Sequence, residues 1–315
     1  MAALRPGTIA VLGEALLDVV ETGDDDPRLA RPGGSPYNVA IGLARLERPT
    51  AFVGRLSHDP LGIILRHHAE RSGVDLSLAV DAHEPSTVAL VELQDGIAQY
   101  RFGVDGTADF RWTEAELALV PDDIAALHFG SLASWTLPGS LAIEHRVAAL
   151  REHALISYDP NVRPHLQSDA AAARDRIEQA LPLAHLVKAS EEDVAYLYPG
   201  ADIDDVARGW LAVGPALVVV TRGGEGSSAY TAGAQTARPV HPVTIADTVG
   251  AGDAFTTGLL DALAERDLLD AARLGGLDTA TLDAVLDHAA LVAAITCSRA
   301  GANPPRKAEL AAHRG

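Results

Sequence analysis

The stretch Asp247-Thr248-Val249-Gly250-Ala251-Gly252-Asp253 places two glycines directly before an acidic residue. Upstream, Val243 and Ile245 alternate with Thr244 and Ala246, a strand period; downstream, Phe255, Leu259 and Leu263 recur at helical spacing. The spacing therefore predicts a strand-to-helix turn. Amides at a helix start lack internal partners, and the helix dipole makes that end positive. Glycines there let an anion approach the backbone, so Gly250, Ala251 and Gly252 can form an amide cradle for a phosphate. Asp253, in the first helical turn, is placed to take a proton beside that phosphate. An aspartate at a helix start is also an ordinary stabilising choice, so a chemical role has to be supported by the rest of the chain.

Other polar residues sit where elements begin or end. Asp18 interrupts the apolar run Glu14 to Val20. Gly33-Gly34 precede Ser35 and Pro36, a good N-cap and a good first helical residue, with Asn38 in the first turn. Three clusters follow predicted strands: Asp159-Pro160-Asn161-Val162-Arg163, Ser190 to Asp193, and Thr221-Arg222-Gly223-Gly224-Glu225-Gly226. Each alone reads as an ordinary strand-to-helix turn. Together with Asp18, Gly33, Gly34 and Asn38 they would converge on one crevice, because ligands of parallel sheets bind beyond the carboxyl ends of the strands.

The elements that must position these residues show a regular rhythm. Strands at Ile9–Leu12, Thr50–Val53, Ala125–Phe129, Leu155–Asp159, Leu186–Ala189 and Leu217–Thr221 alternate with helices. The helices are expected at Asp59–Ser72, Leu141–Glu152, Ala170–Ala180, Glu191–Leu197 and Val206–Ala212, with a final one at Thr281–Thr296. This implies an α/β fold with a parallel sheet covered on both faces. A hairpin, Thr87–Leu93 and Ala98–Gly103 around Gln94-Asp95-Gly96, interrupts the rhythm as a small separate sheet.

Composition narrows the function. The net charge of −18 over 315 residues argues against nucleic acid and anionic membranes as partners. No apolar run is expected to approach the roughly 20 residues of a membrane span, and the N-terminus lacks a signal-peptide core. The single cysteine, Cys297, excludes an internal disulfide and reads as a small buried residue. A cytoplasmic location is expected. Only two lysines occur, Lys188 and Lys307, and neither follows a glycine, so a P-loop is absent. No Gly-x-Gly-x-x-Gly occurs either, which disfavours a dehydrogenase.

The pattern resembles the ribokinase-like, or phosphofructokinase B, carbohydrate kinase family from Val11 to about Pro305. Asp247–Asp253 is similar to its Asp-Thr-x-Gly-Ala-Gly-Asp signature, and Gly33-Gly34 with Asn38 to its sugar-binding signature. Thr221-x-Gly223-x-x-Gly226 resembles its nucleotide loop. The resemblance implies one domain over 1–315, a three-layer α/β/α body with a mostly parallel central sheet, and a β lid from about 14–33 and 85–111. It implies ATP-dependent phosphorylation of a sugar alcohol with Mg²⁺. Asp253 would be the general base, Asp18 a sugar-hydroxyl acceptor, and K⁺ would lie near Asp247 and Val249. Asp159-x-Asn161-x-Arg163 is similar to the fructokinase and 2-keto-3-deoxygluconate kinase branches, with Arg163 meeting the γ-phosphate or an acidic substrate group. Tyr100 and Arg101 resemble lid residues that reach the sugar. One departure stands out: Ser190 and Asp193 occupy the positions of an Asn-x-x-Glu tied to Mg²⁺ and phosphate. Fructose is the leading substrate. Kinases for 2-keto-3-deoxygluconate, ribose or a nucleoside, and a non-catalytic sugar sensor, are the alternatives. Family members often form a homodimer through the lid, an arrangement the hairpin alone does not reveal.

Overall fold

The computed structural model describes residues 4–20, 29–94, 97–167 and 169–314, with backbone only at 20, 29, 91–94, 97–102 and 314. The acidic run Asp24-Asp25-Asp26 lies outside them. In chain order the strands are β1 Ile9–Leu12, β2 Leu16–Val20, β3 Leu29–Gly33, β4 Thr50–Val53, β5 Arg55–Ser57, β6 Val80–Ala82 and β7 Thr87–Gln94. They continue as β8 Ile97–Gly103, β9 Ala126–Gly130, β10 Leu155–Asp159, β11 Leu186–Ser190, β12 Leu217–Thr221, β13 Ser227–Tyr230 and β14 Gln235–Arg238.

Eight of them form one sheet in the order β14-β13-β12-β11-β10-β9-β1-β4. From β12 to β4 every pairing is parallel, while β13 and β14 extend the edge antiparallel. Alternate side chains build two cores. Leu12, Phe129, Ile156, Val187 and Val218 face the layer containing the helices Gly139–Leu150, Ala170–Ala180 and Ile203–Leu211. Ile9, Val11, Leu155, Leu186 and Val219 face the layer containing Ser35–Arg45, Ala251–Glu265 and Thr279–Cys297. The result is a three-layer α/β/α body, as the alternation of elements predicts. Leu259, Leu260 and Leu263 are fully buried on the second face, each stabilising the fold by roughly 1.5–3 kcal/mol.

The small sheet has the order β3-β2-β7-β8. The chain crosses between the two sheets at Gly13–Ala15, because after β1 the backbone leaves the main sheet and continues as β2 in the other.

Three expectations are corrected. Residues 239–250 form no strand; Val243 and Ile245 are exposed, and the sheet has already ended at β14. A strand period without a neighbouring edge to pair with leaves an irregular segment. Thr279–Cys297 is not the final helix, since Lys307–Arg314 follows. That 19-residue helix is also long and apolar enough, by length and composition, to cross a membrane. Its residues Leu282, Leu286, Ala289 and Val292 are instead buried in the body, where the helix packs on Ala251–Glu265.

Candidate active site

The helix Ala251–Glu265 starts at Gly250, whose φ of 75° is left-handed and suits a residue without Cβ. A Cβ at Gly250 would lie 2.6 Å from that of Ala302, so the turn packs closely on the chain beyond Thr279–Cys297. Ala254 N makes the helical bond to Gly250 O at 2.8 Å. The amides of Gly252 and Asp253 therefore precede the first helical bond and point out of the helix start. The Ala251 amide is donated to Thr248 O at 3.1 Å, so the expected cradle loses one of its donors.

Asp253 is held by the start of a second helix. Ser35 Oγ donates to Asp253 Oδ1 at 2.7 Å, and Asn38 Nδ2 donates to Oδ2 at 2.8 Å. Ser35 is thus not the N-cap. Gly34 takes that position with φ 104°, which frees the serine hydroxyl for the carboxylate. Gly34 cannot carry a side chain, because a Cβ would lie 2.6 Å from Glu14 O. Burial pushes the Asp253 carboxyl above its ordinary range, against the donors Asn38 and Ser35; nearby Asp159 adds to the rise and Lys188 opposes it. The helix-start effect anticipated from sequence is outweighed by desolvation.

Beside it lies an ion pair that sequence reasoning did not assign. Lys188 Nζ donates to Asp159 Oδ2 at 3.0 Å, and both residues are buried. Thr256 Oγ1 donates to the same oxygen at 3.3 Å. Asp159 Oδ1 is buried and has no hydrogen-bond partner among the described residues. Burial lowers the Lys188 pKa, but Asp159, Asp193 and Asp253 outweigh it, so the pKa is raised and the ammonium is a fixed cation. A Cβ at Gly252 would sit 3.2 Å from Lys188 Nζ, so glycine there lets the ammonium reach the helix start. The signal was present in the sequence: Lys188 is the one charged residue in the strand Leu186–Ser190.

A cavity of about 570 Å³ opens on the Gly252 side. Lys188, Ser190, Asp193, Thr221, Gly223 and Gly226 line its polar end, and Val240, Val243, Ile245, Ala290, Ala294 and Cys297 an apolar wall. Cys297 is half-buried in this wall rather than enclosed in the core. Ser190 and Asp193 form a capping box for the helix Glu191–Leu197. Asp193 Oδ2 accepts from Ser190 N and Ser190 Oγ, each at 2.8 Å, and Oδ1 accepts from Val162 N at 2.7 Å. The aspartate therefore clamps two strand-to-helix turns together, and both of its oxygens are occupied by the protein.

Of the other predicted residues, Asp18 lies near both Asp253 and Arg163. Asp18 lies against Gly33, where a Cβ would stand 2.5 Å from Asp18 Oδ2. Burial raises the Asp18 carboxyl to about 6; Arg163 opposes the rise and Asp253 adds to it. Arg163 donates to Asn161 Oδ1 at 2.6 Å. Asp247 sits below the turn: its Oδ1 accepts from Val249 N at 3.0 Å and its Oδ2 from Gly301 N at 2.7 Å. Tyr100 and Arg101 lie on β8 opposite Val91 and Leu90, but their side chains fall outside the described residues.

The fold and this site define a class: the chain belongs to the pfkB family of carbohydrate kinases, whose model matches residues 8–309. It is an ATP-dependent sugar kinase. Among its relatives, a fructokinase of Rhizobium leguminosarum bv. trifolii is 38% identical over 282 residues, covering 87% of this chain and 85% of that protein. A fructokinase from Xylella fastidiosa with bound ATP superposes with a TM-score of 0.89 at 28% identity, covering 98% of each chain. A double mutant of the Vibrio cholerae O395 fructokinase, in fructose-, ADP- and potassium-ion-bound form, gives 0.84 at 27% identity over 99% of each chain.

Proposed function

We propose that this kinase phosphorylates a primary hydroxyl of fructose, with Asp253 as general base. One observation carries the reading. The Asp253 carboxylate is held where two helix starts meet, between the cavity lined by Lys188 and the Thr221–Gly226 loop and the cluster of Asp18, Gly33 and Arg163. ATP would occupy the cavity, with its phosphates toward Gly252 and its base against the apolar wall. The sugar would lie by Asp18, Gly33, Gly34 and Asn38, under the small sheet as a lid. The fructokinase relatives support fructose as the acceptor.

Ser35 and Asn38 each donate one bond to the carboxylate and so fix its orientation. Each carboxylate oxygen keeps lone-pair capacity for a substrate hydroxyl. The raised pKa makes Asp253 a stronger base than a free aspartate. It takes the hydroxyl proton as the sugar oxygen attacks the γ-phosphorus and the bond to ADP breaks. Charge developing on the transferred group is met by the amides of Gly252 and Asp253 and by the Lys188 ammonium, all in place beforehand. Arg163 stands beside Asp18 to orient the sugar or the γ-phosphate.

Mg²⁺ bound to ATP would neutralise phosphate charge. The residues fit it in a particular way: the unpartnered Asp159 Oδ1 is a carboxylate oxygen available to the ion or its water, whereas both oxygens of Asp193 are committed to backbone and serine donors. K⁺ would sit near Asp247 and Val249, where Ala246 N and Asp247 N also bind Cys297 O and tie this turn to the end of Thr279–Cys297. ADP release measured with Mg²⁺·ATP against fructose, ribose, 2-keto-3-deoxygluconate and adenosine tests the assignment. Fructose should give the highest kcat/KM. Preference for another acceptor would reassign the substrate, and no turnover with any of the four would favour a sugar sensor.

A further inference from the structure

The chain passes between body and small sheet at four places: Gly13–Ala15, Gly33–Gly34, the segment before Thr87, and the segment after Gly103. Three of these meet at one side chain. Asp109, just beyond β8, is buried, and its Oδ1 accepts from Ala15 N at 2.9 Å. Its Oδ2 accepts from Thr87 Oγ1 at 2.5 Å. Leu16 and Thr87 are opposite each other in the parallel pair β2–β7, so one carboxylate caps the starts of both strands. Thr107 Oγ1 lies 2.8 Å from Thr87 Oγ1, and Ala108 N donates to Pro85 O at 3.0 Å. The fourth crossing abuts the same point, since Gly34 packs on Glu14 O.

The body grips these crossings through a separate residue. Arg55, buried on β5, donates to Ala108 O at 3.0 Å and pairs with Glu84 at 2.8 Å and with Glu116. The Glu14 carboxylate turns the other way, accepting from Ala133 N at 3.1 Å. Segments on either side of Thr87 and Asp109 are therefore fixed to the body, while β2 and β7 run outward from them. Burial pushes the Asp109 carboxyl up to about 7, and Glu14 adds to the rise. A buried acid of this kind is costly to keep unless its bonds matter.

We propose that Asp109 is the pivot clasp of the small sheet. It is a positioning residue that pins three crossings at one point and so sets how β2, with Asp18, and β3, with Gly33, close over the acceptor sugar. The closure part rests on the sugar-kinase reading above; the clasp itself does not. Asp109→Ala removes both accepting oxygens and so loses both strand-start bonds. Thr87→Val removes one hydroxyl without changing charge or shape, and serves if the first variant folds poorly.

Hydrogen exchange on the full-length, ligand-free protein tests the clasp without any substrate. Loss of a buried bond of this kind should speed exchange of amides in 16–19 and 87–90 by about tenfold, leaving 126–130 and 155–159 unchanged. Wild-type exchange in the small sheet, or equal acceleration in the body, would overturn the proposal. Kinetics then test closure. The fructose KM should rise about tenfold in both variants, with the ATP KM within twofold of wild type. A parallel rise in both KM values, or none in either, would overturn the link to closure. Absence of sugar turnover in the wild type would count against the kinase reading alone, because the exchange result stands without it.

Discussion

The proposed nucleotide end and sugar end of the site are built differently. At the proposed nucleotide end, much of the polar wall comes from β11, β12 and the turns that follow them in the main sheet, and neighbouring turns bind one another. Asp193 joins the turns after β10 and β11, and Lys188 joins β11 to Asp159 on β10. At the sugar end, Asp18 and Gly33 ride on the small sheet, which reaches the body through four chain crossings. The first end is fixed by a continuous eight-stranded sheet; the second is tied to the body by a few buried bonds at Asp109, the proposed pivot. Phosphoryl transfer needs charge stabilisation in place before reaction, and acceptor binding needs a cover that opens. On the proposed reading, division of the site between a fixed sheet and a pivoting one would serve both needs.

The largest effect expected from breaking the rigid end is at Lys188. Lys188→Met should lower kcat about 10²–10³-fold, the scale for loss of a preorganised donor to a developing anion. It should also destabilise the fold, because Asp159 is left as a buried charge. Asp159→Asn added to Lys188→Met should recover much of the stability, read by denaturant titration, but none of the rate. Recovery of rate would mean the ion pair acts structurally only.

At the proposed sugar end the effect is smaller and depends on pH. Asp18, raised to about 6 by burial, must be ionised to accept strongly from a sugar hydroxyl. In the wild type, kcat/KM for fructose should therefore fall as pH drops below about 6. Asp18→Asn should lose this acid limb and raise the fructose KM by about tenfold. An unchanged limb in that variant would assign the titration elsewhere. Folding raises this pKa from about 3.9, so the folded state holds the extra proton between pH about 4 and 6. The stability that proton confers is present at low pH and is lost as pH rises through 6.

The smallest effect is expected at Ser190, whose hydroxyl caps the helix Glu191–Leu197. Ser190→Ala should cost about 1 kcal/mol in denaturant unfolding and leave kcat within about threefold. A large change in Mg²⁺ dependence instead would place this serine on the metal.

Legibility in the sequence followed the same division. The βα turns could be found because caps and periodicity are local: the helices Ala170–Ala180 and Glu191–Leu197 fall where the pattern puts them. Asp247–Asp253 was recognisable as a helix start for the same reason. The strand expected at Val243–Ala246 failed because alternation cannot show whether a partner edge exists. Lys188 is visible in the sequence as the one charge in an apolar strand, but its role is not, because that depends on Asp159 one strand away. Ser35 looked like a cap until the left-handed Gly34 displaced it. Asp109 gave no local signal, since its partners lie 94 and 22 residues away along the chain.

On the proposed reading Asp253 bridges both ends, and that role is open to direct measurement. Single-turnover phosphoryl transfer from ATP to fructose should be compared in the wild type and Asp253→Asn, with both ligand affinities measured separately. A bridging base predicts at least about a hundredfold slower transfer, with folding intact and both affinities within about threefold. Transfer at the wild-type rate, or a loss traced wholly to weaker ATP or fructose binding, would contradict it.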